Sequence, residues 1–223
     1  MNIVPTLSTT RFPAAMTHTL LQNAHQKYSL TLAEDTKSFV RKDQKGEIIY
    51  QLFPPSILPC QHSSILSYLD DLKQKEIQKS LVLLIRSGAA SLGISQGDEL
   101  LRHKVITKYV TRKKQGKSQF TYLKKKGKSR LGSRIRLQNM KDFFVEINEK
   151  LCQWEELVAC QFLFYSAPVR LWPELFTAKT TIPISRQDPR WHKIPIYIRT
   201  PNFKELKHIC YELSHGTIID SSI

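Results

Sequence analysis

Between Arg102 and Lys141 the sequence has no aspartate and no glutamate. The same forty positions hold 15 of the chain's 34 lysines and arginines, and the rest of the chain balances 19 basic against 19 acidic side chains. The formal net charge of +15 therefore sits in one stretch. Ordinary exposed faces mix both signs, so this absence argues against a merely solvated surface and points to a polyanionic partner.

Cysteine is scarce as well. Cys60, Cys152, Cys160 and Cys210 stand far apart with no Cys-x-x-Cys, and His103, His192, His208 and His215 do not cluster with them. Metal ligation is not supplied by that spacing, and no cofactor is implied. The four read as buried thiols in a reducing compartment. Long apolar runs are missing too: none approaches the roughly 18 residues that a membrane span needs. Met1–Leu21 is broken by Pro5, Arg11 and Pro13 and lacks the apolar centre of a signal peptide. These absences lead to the expectation of a cytoplasmic protein with no membrane partner; a monomer is expected.

What is present suffices for a packed core. The chain has 223 residues, 41% of them hydrophobic, enough for one large domain or two small ones. A pI near 9.7 with localised charge favours nucleic acid as the partner.

Residues 1–30 read as an irregular lead-in with helical periodicity around Thr19–Tyr28. Glu47–Phe53 is a strand candidate ended by Pro54-Pro55. Ser63 or Ser64 is placed to cap a helix over Ile65–Lys79. Ser80–Ile85 is an unbroken apolar run, as a strand buried on both faces requires. Ala89–Ser95 and Glu99–Val110 follow it at meander spacing, separated by Ser87-Gly88 and Gln96-Gly97-Asp98 turns.

Beyond the polar loop Arg112–Phe120, the pattern predicts a short helix over Phe120–Lys128 ended by Gly127, then a long one from about Ser133 to Trp154. Phe143, Phe144 and Trp154 read as core rather than as a nucleobase platform. Leu157–Tyr165 reads as a buried strand, 166–191 as irregular, and Ile194–Ile198 as an edge strand. Asn202-x-x-Glu205 resembles a capping box opening a last helix, with Gly216 ending it. The order implies an α/β fold, a mixed β-sheet flanked by helices. Residues 80–223 form its main domain, and residues 1–79 form an N-terminal extension packed on it.

One combination of motifs carries a resemblance. Gly88–Gly97 ends in Gln-Gly; His103-Lys104, Tyr109 and Arg112 follow, then Lys114-Gln115-Gly116-Lys117-Ser118-Gln119. The Ile194-Pro195-Ile196, Arg199-Thr200-Pro201, Glu205-Leu206 and Leu213-x-x-Gly216 segments complete it. Together they resemble the middle domain of eukaryotic and archaeal class I translation release factors, and more closely the Vms-like release-factor (VLRF) family of ribosome quality control.

The resemblance implies a peptidyl-tRNA hydrolase that frees nascent chains on stalled ribosomes, with peptidyl-tRNA and large-subunit rRNA as partners. Its alternatives are an endonuclease cutting the tRNA 3′-CCA end, or a binding module of the same fold without catalysis. By motif match Gln119 is the catalytic residue, supported by Tyr109, Arg112, Gln115, Gly116 and Ser118. Lys104, Lys113, Lys114, Lys117, Lys124, Lys125, Lys126, Lys128, Arg130, Arg134 and Arg136 are the candidate RNA contacts.

Release factors carry two glycines before the tip glutamine, where this chain has Lys117-Ser118. Glycine reaches backbone conformations that lysine and serine disfavour, and a serine before the glutamine fits the Vms-like pattern. A glutamine amide does not titrate near neutrality, so its expected role is to orient water or a hydroxyl and to stabilise developing negative charge. His103 reads either as a structural hydrogen-bonding group or as a substrate contact.

Overall fold

A computed structural model of the chain describes residues 8–33, 35–58, 64–74, 76–109, 128–194 and 196–221, excepting the side chains of 74, 128–134 and 136. The chain is mixed α/β and forms two compact units. One comprises Met1–Lys79, Ser95–Leu100 and His208–Ile223; the other comprises Ser80–Ile94 and Leu101–Lys207.

In the first unit, strands β1 (Ser8–Pro13), β2 (Thr31–Ala33), β3 (Ser38–Lys42), β4 (Ile48–Phe53) and β10 (His215–Asp220) form a sheet of order β1-β10-β4-β3-β2. Helices α1 (Thr17–Tyr28) and α2 (Ile65–Gln74) belong to the same unit. Phe12, Leu21, Phe39, Leu52, Tyr68 and Leu69 make its core. The Ser64 side chain accepts the Ser67 backbone N–H at 3.2 Å, the N-cap bond that the sequence anticipates.

Several expectations here need correction. Within the lead-in, Ser8–Pro13 is a strand and Ala14–Met16 a 3-10 turn where irregular chain was expected, while α1 falls where the helical periodicity lies. Helix α2 reaches Gln74 rather than Lys79, because Lys79 already starts the next strand. Gly216 does not end a helix: it lies within β10. A Cβ there would come within 2.7 Å of the Phe53 carbonyl oxygen and closer still to the Phe12 ring. The position demands the missing side chain, not a left-handed backbone.

The second sheet has the order β7-β6-β5-β8-β9. Its strands are β5 (Lys79–Arg86), β6 (Ala89–Gln96), β7 (Glu99–Thr107), β8 (Phe162–Ser166) and β9 (Trp191–Lys193). Leu81–Ile85 are fully buried, as the apolar run predicts for a strand covered on both faces. The β5-β6 and β6-β7 turns place Gly88 and Gly97 at φ 77° and 62°, the left-handed region that glycine occupies without strain. Strands β5, β8 and β9 run parallel.

Helix α3 (Lys128–Cys152) begins five residues before the position expected and covers the sheet through Phe143, Phe144, Ile147 and Leu151, all buried. Each such side chain contributes about 1.5–3 kcal/mol by leaving water. Buried Asn148 donates to the carbonyls of Leu175 and Thr180 at 2.7 and 2.6 Å, tying the helix to the irregular segment beyond it.

Two strand expectations shift in this unit. Leu157–Tyr165 is not one strand: Glu155–Leu157 is a 3-10 turn whose local bonds Ala159 N to Glu156 O and Cys160 N to Leu157 O occupy the backbone before β8 starts at Phe162. The edge strand is Trp191–Lys193 rather than Ile194–Ile198. Ile194 makes a last bond to Tyr165 O, and the Arg86 side chain then takes the Ile198 carbonyl. Residues 166–191 are not wholly irregular, since α4 (Glu174–Thr177) lies among them. The last helix, α5 (Phe203–Ser214), opens with the Asn202 side chain accepting the Glu205 N–H at 2.8 Å.

Cys160 and Cys210 are buried, as expected, and burial pushes the Cys210 thiol up to about 11. Cys152 is exposed instead, one helical step around from buried Leu151, and Cys60 lies outside the described residues. Among the described residues no helix is long and apolar enough to cross a membrane, and no group of three or more His, Cys, Asp or Glu is placed to hold a metal.

Candidate nucleic-acid interface

The acid-free window enters on β7 and leaves on α3, so these two elements fix its roots. At the entry, the Lys108 N–H donates to the Gly88 carbonyl at 2.8 Å, pinning the end of β7 to the turn between β5 and β6. At the exit, Asn139 reaches back from α3 and donates to the Tyr109 carbonyl at 2.7 Å. The Lys108 ammonium meets Glu146 of α3 at 2.9 Å. That hydrogen bond and the adjacent carboxylate charge raise the lysine above its ordinary range. Entry and exit are therefore cross-linked by a side-chain bond and an ion pair, and the entry is pinned to the β5-β6 turn by a backbone bond.

Lys108, Asn139 and Glu146 escaped the sequence reading. Only the pairing of β7 with α3 gives them meaning, and no local signal carries it. Asn139 stands eleven residues into α3, so about 17 Å of helix precedes the cross-link. That leading segment carries Lys128, Arg130, Arg134 and Arg136 and no acid in its first turn. Basic residues there add to the positive end of the helix dipole instead of offsetting it, which makes the segment attractive to phosphate. Ile135 and Leu137 are 49% and 61% exposed, so this part of the helix is not packed into the core.

Tyr109 stands at the base of the segment, half exposed. Lys104 is exposed on β7, and the His103 ring packs 4.7 Å from Phe203. Lys128, Arg130, Arg134 and Arg136 lie on α3, which brings their backbone positions onto one element with Asn139. Gln119, Arg112, Lys113, Lys114, Gln115, Gly116, Lys117, Ser118, Lys124, Lys125 and Lys126 lie outside the described residues, as does most of the helix expected over Phe120–Lys128.

With this geometry in view, comparison with known proteins is informative. Residues 80–221 match the model of the Bacteroidetes VLRF1 release factor family. The human protein tRNA endonuclease ANKZF1 is 26% identical over 180 residues, covering 78% of this chain and 24% of its own length. The Saccharomyces cerevisiae protein tRNA endonuclease VMS1 is 32% identical over 128 residues, covering 56% of this chain and 20% of its own. The chain thus spans about a quarter or less of these relatives. A solved structure, the Vms1 mitochondrial localization core, covers 97% of this chain and 84% of its own with a TM-score of 0.51 at 15% identity, a likeness of fold.

Proposed function

Because the chain belongs to the Bacteroidetes VLRF1 release factor family, we propose that it is a ribosome-associated enzyme acting on the tRNA end of peptidyl-tRNA to free stranded nascent chains. The single observation that carries this reading is the acid-free basic segment rooted by the cross-linked ends of β7 and α3. Such a root ties together the two described ends of a phosphate-seeking segment. In this reading residues 80–223 are the catalytic portion and Gln119 is the reacting tip. The surrounding lysines and arginines hold tRNA and rRNA phosphates. The protein works in the cytoplasm as a monomer and needs no cofactor.

Two bonds are open to this chemistry. The names of the human and yeast relatives favour scission of the tRNA strand. There a ribose 2′-oxygen attacks the neighbouring phosphorus and the 5′-oxygen of the next nucleotide leaves with a proton. The products are a 2′,3′-cyclic phosphate and a free 5′-hydroxyl. Gln119 would orient the attacking hydroxyl, while the lysines and arginines offset charge on the phosphoryl oxygens. The release-factor likeness of the glutamine tip favours a second reading, water attack on the ester joining peptide to terminal ribose.

Incubation with ribosome-bound peptidyl-tRNA and mapping of the tRNA 3′ end tests both. A shortened end indicates scission, and an intact CCA end indicates ester hydrolysis. Gln119→Ala should bind within about threefold of the parent, because phosphate contacts dominate affinity. Its single-turnover release at saturation should fall at least about a hundredfold, the scale for losing one oriented donor. Equal activity of the two proteins would remove Gln119 from the chemistry. Absence of release by either would leave only a binding module.

A further inference from the structure

The parallel strands β5, β8 and β9 end in Arg86, Ser166 and Lys193, and these three terminal residues line one cavity of about 480 Å³. The register explains the convergence: Leu84 faces Ser166, and Tyr165 faces Lys193, so the three strands stop nearly level. From the carboxyl end of β5 the chain departs to one side, into β6, and from that of β8 it departs to the other, towards β9. Connections that diverge from adjacent parallel strands open a crevice at their carboxyl ends, the usual ligand position in open α/β sheets. The volume falls within the range of small-ligand sites, about 300–1,000 Å³.

The walls specify the ligand's chemistry. Pro168, Ile196 and Tyr197 supply apolar surface, and none of the described lining residues is acidic. Tyr197 is 78% exposed, which leaves it accessible from solvent. The Arg86 guanidinium lies 4.8 Å from its ring centre. Arg86 is itself held by its Nε–H to the Ile198 carbonyl, so cation and ring are fixed together. Around the cavity Arg190–Lys204 contains four basic residues and no acid, the same imbalance as the main basic window on a smaller scale. A cation beside an exposed ring fits a phosphate attached to a planar base.

The crevice also opens at the end of the sheet where the basic segment is rooted. Gly88, whose carbonyl receives the Lys108 N–H, follows Arg86 by two residues. We propose that this crevice is a nucleotide subsite. It takes one nucleoside monophosphate unit of a single-stranded RNA, the phosphate on Arg86 and Lys193 and the base on Tyr197. The assignment rests on the proposed action at a tRNA end, and it adds a place where an unpaired nucleotide of that end is held while the basic segment engages its neighbours.

The test uses the full chain and a fluorescent RNA tetranucleotide, ACCA, in equilibrium titrations. Tyr197→Ala should weaken binding about tenfold, the scale of one lost base stack, and Tyr197→Phe should restore it. Lys193→Glu should weaken it about tenfold and lower the salt slope by about one phosphate contact. Both side chains are exposed, so melting temperatures should stay unchanged. An abasic tetranucleotide should bind weakly and be indifferent to Tyr197→Ala.

Parental affinity for ACCA in both Tyr197→Ala and Lys193→Glu would overturn the subsite. Cytidine monophosphate binding as tightly as ACCA would overturn the RNA assignment in favour of a free nucleotide. All titrations are repeated in the Gln119→Ala background. Parental tRNA processing by Gln119→Ala, with ACCA binding intact and still sensitive to the crevice substitutions, then refutes the catalytic reading alone, whereas lost processing with ACCA binding indifferent to those substitutions refutes the subsite alone.

Discussion

The two halves of α3 share one hydrogen-bonded backbone and have opposite characters. From Met140 to Cys152 the helix carries Asp142, Glu146 and Glu149 on its outside and buries Phe143, Phe144, Ile147 and Leu151. From Lys128 to Asn139 it has four basic residues, no acid, and exposed Ile135 and Leu137. The rear half packs on the sheet. The front half is an extension of it, and extending an existing helix is far easier than starting one. A run of cations at a helix start is unfavourable by itself. The difference teaches that stability and reach are divided along one element, and that the front is suited to an anion.

The largest effect should come from attacking the rear half. Ile147→Asp puts an unpaired carboxylate where the native side chain is fully buried, and should abolish soluble expression or lower stability by about 4 kcal/mol or more. Unaltered melting would break the division just drawn. An intermediate effect, on binding alone, is expected from replacing Lys128, Arg130, Arg134 and Arg136 together by Gln. Melting should hold or rise slightly, while tRNA affinity falls and its log–log salt dependence loses about 0.9 per phosphate contact removed. A loss of stability without loss of affinity would reverse the assignment of the halves.

The smallest effects lie at the junction. Asn139→Ala should cost about 1 kcal/mol or less through the lost hydrogen bond to the Tyr109 carbonyl, read by denaturant titration. Lys108→Met removes an exposed ion pair and should cost less than about 1 kcal/mol. Because Glu146 raises the Lys108 ammonium, that small contribution is present below the ordinary lysine range and disappears as pH rises through the raised value. Lys108→Met should therefore differ least from the parent at the alkaline end.

What the sequence made legible follows from how local each signal is. β5 showed itself because a strand covered on both faces needs an unbroken apolar run, and Leu81–Ile85 is one. The opening of α5 was legible because Asn202 caps within three residues of itself. β1 was not, since its pattern buries only Phe12 fully and depends on a partner more than 200 residues away. Gly216 misled for a related reason: a glycine that stops a helix and one that admits a neighbour's ring look alike until Phe12 is in place. The basic window was conspicuous from charge alone, but its roots were not. Asn139, Lys108 and Glu146 are ordinary surface residues until β7 and α3 meet. Arg86, Ser166 and Lys193 are neighbours only because three strands end level.

Strand β10 lies inside its sheet, hydrogen-bonded to β1 on one side and β4 on the other. The strands it joins are complete by residue 53, yet the strand that unites them arrives only at residues 215–220. During synthesis β1 and β4 must each wait with an open edge while more than 160 further residues are made, and open edges invite pairing with other chains. A protein truncated before His215 would carry that exposure permanently. Until β10 is in place, a nascent copy of this chain has two strand edges open to mispairing.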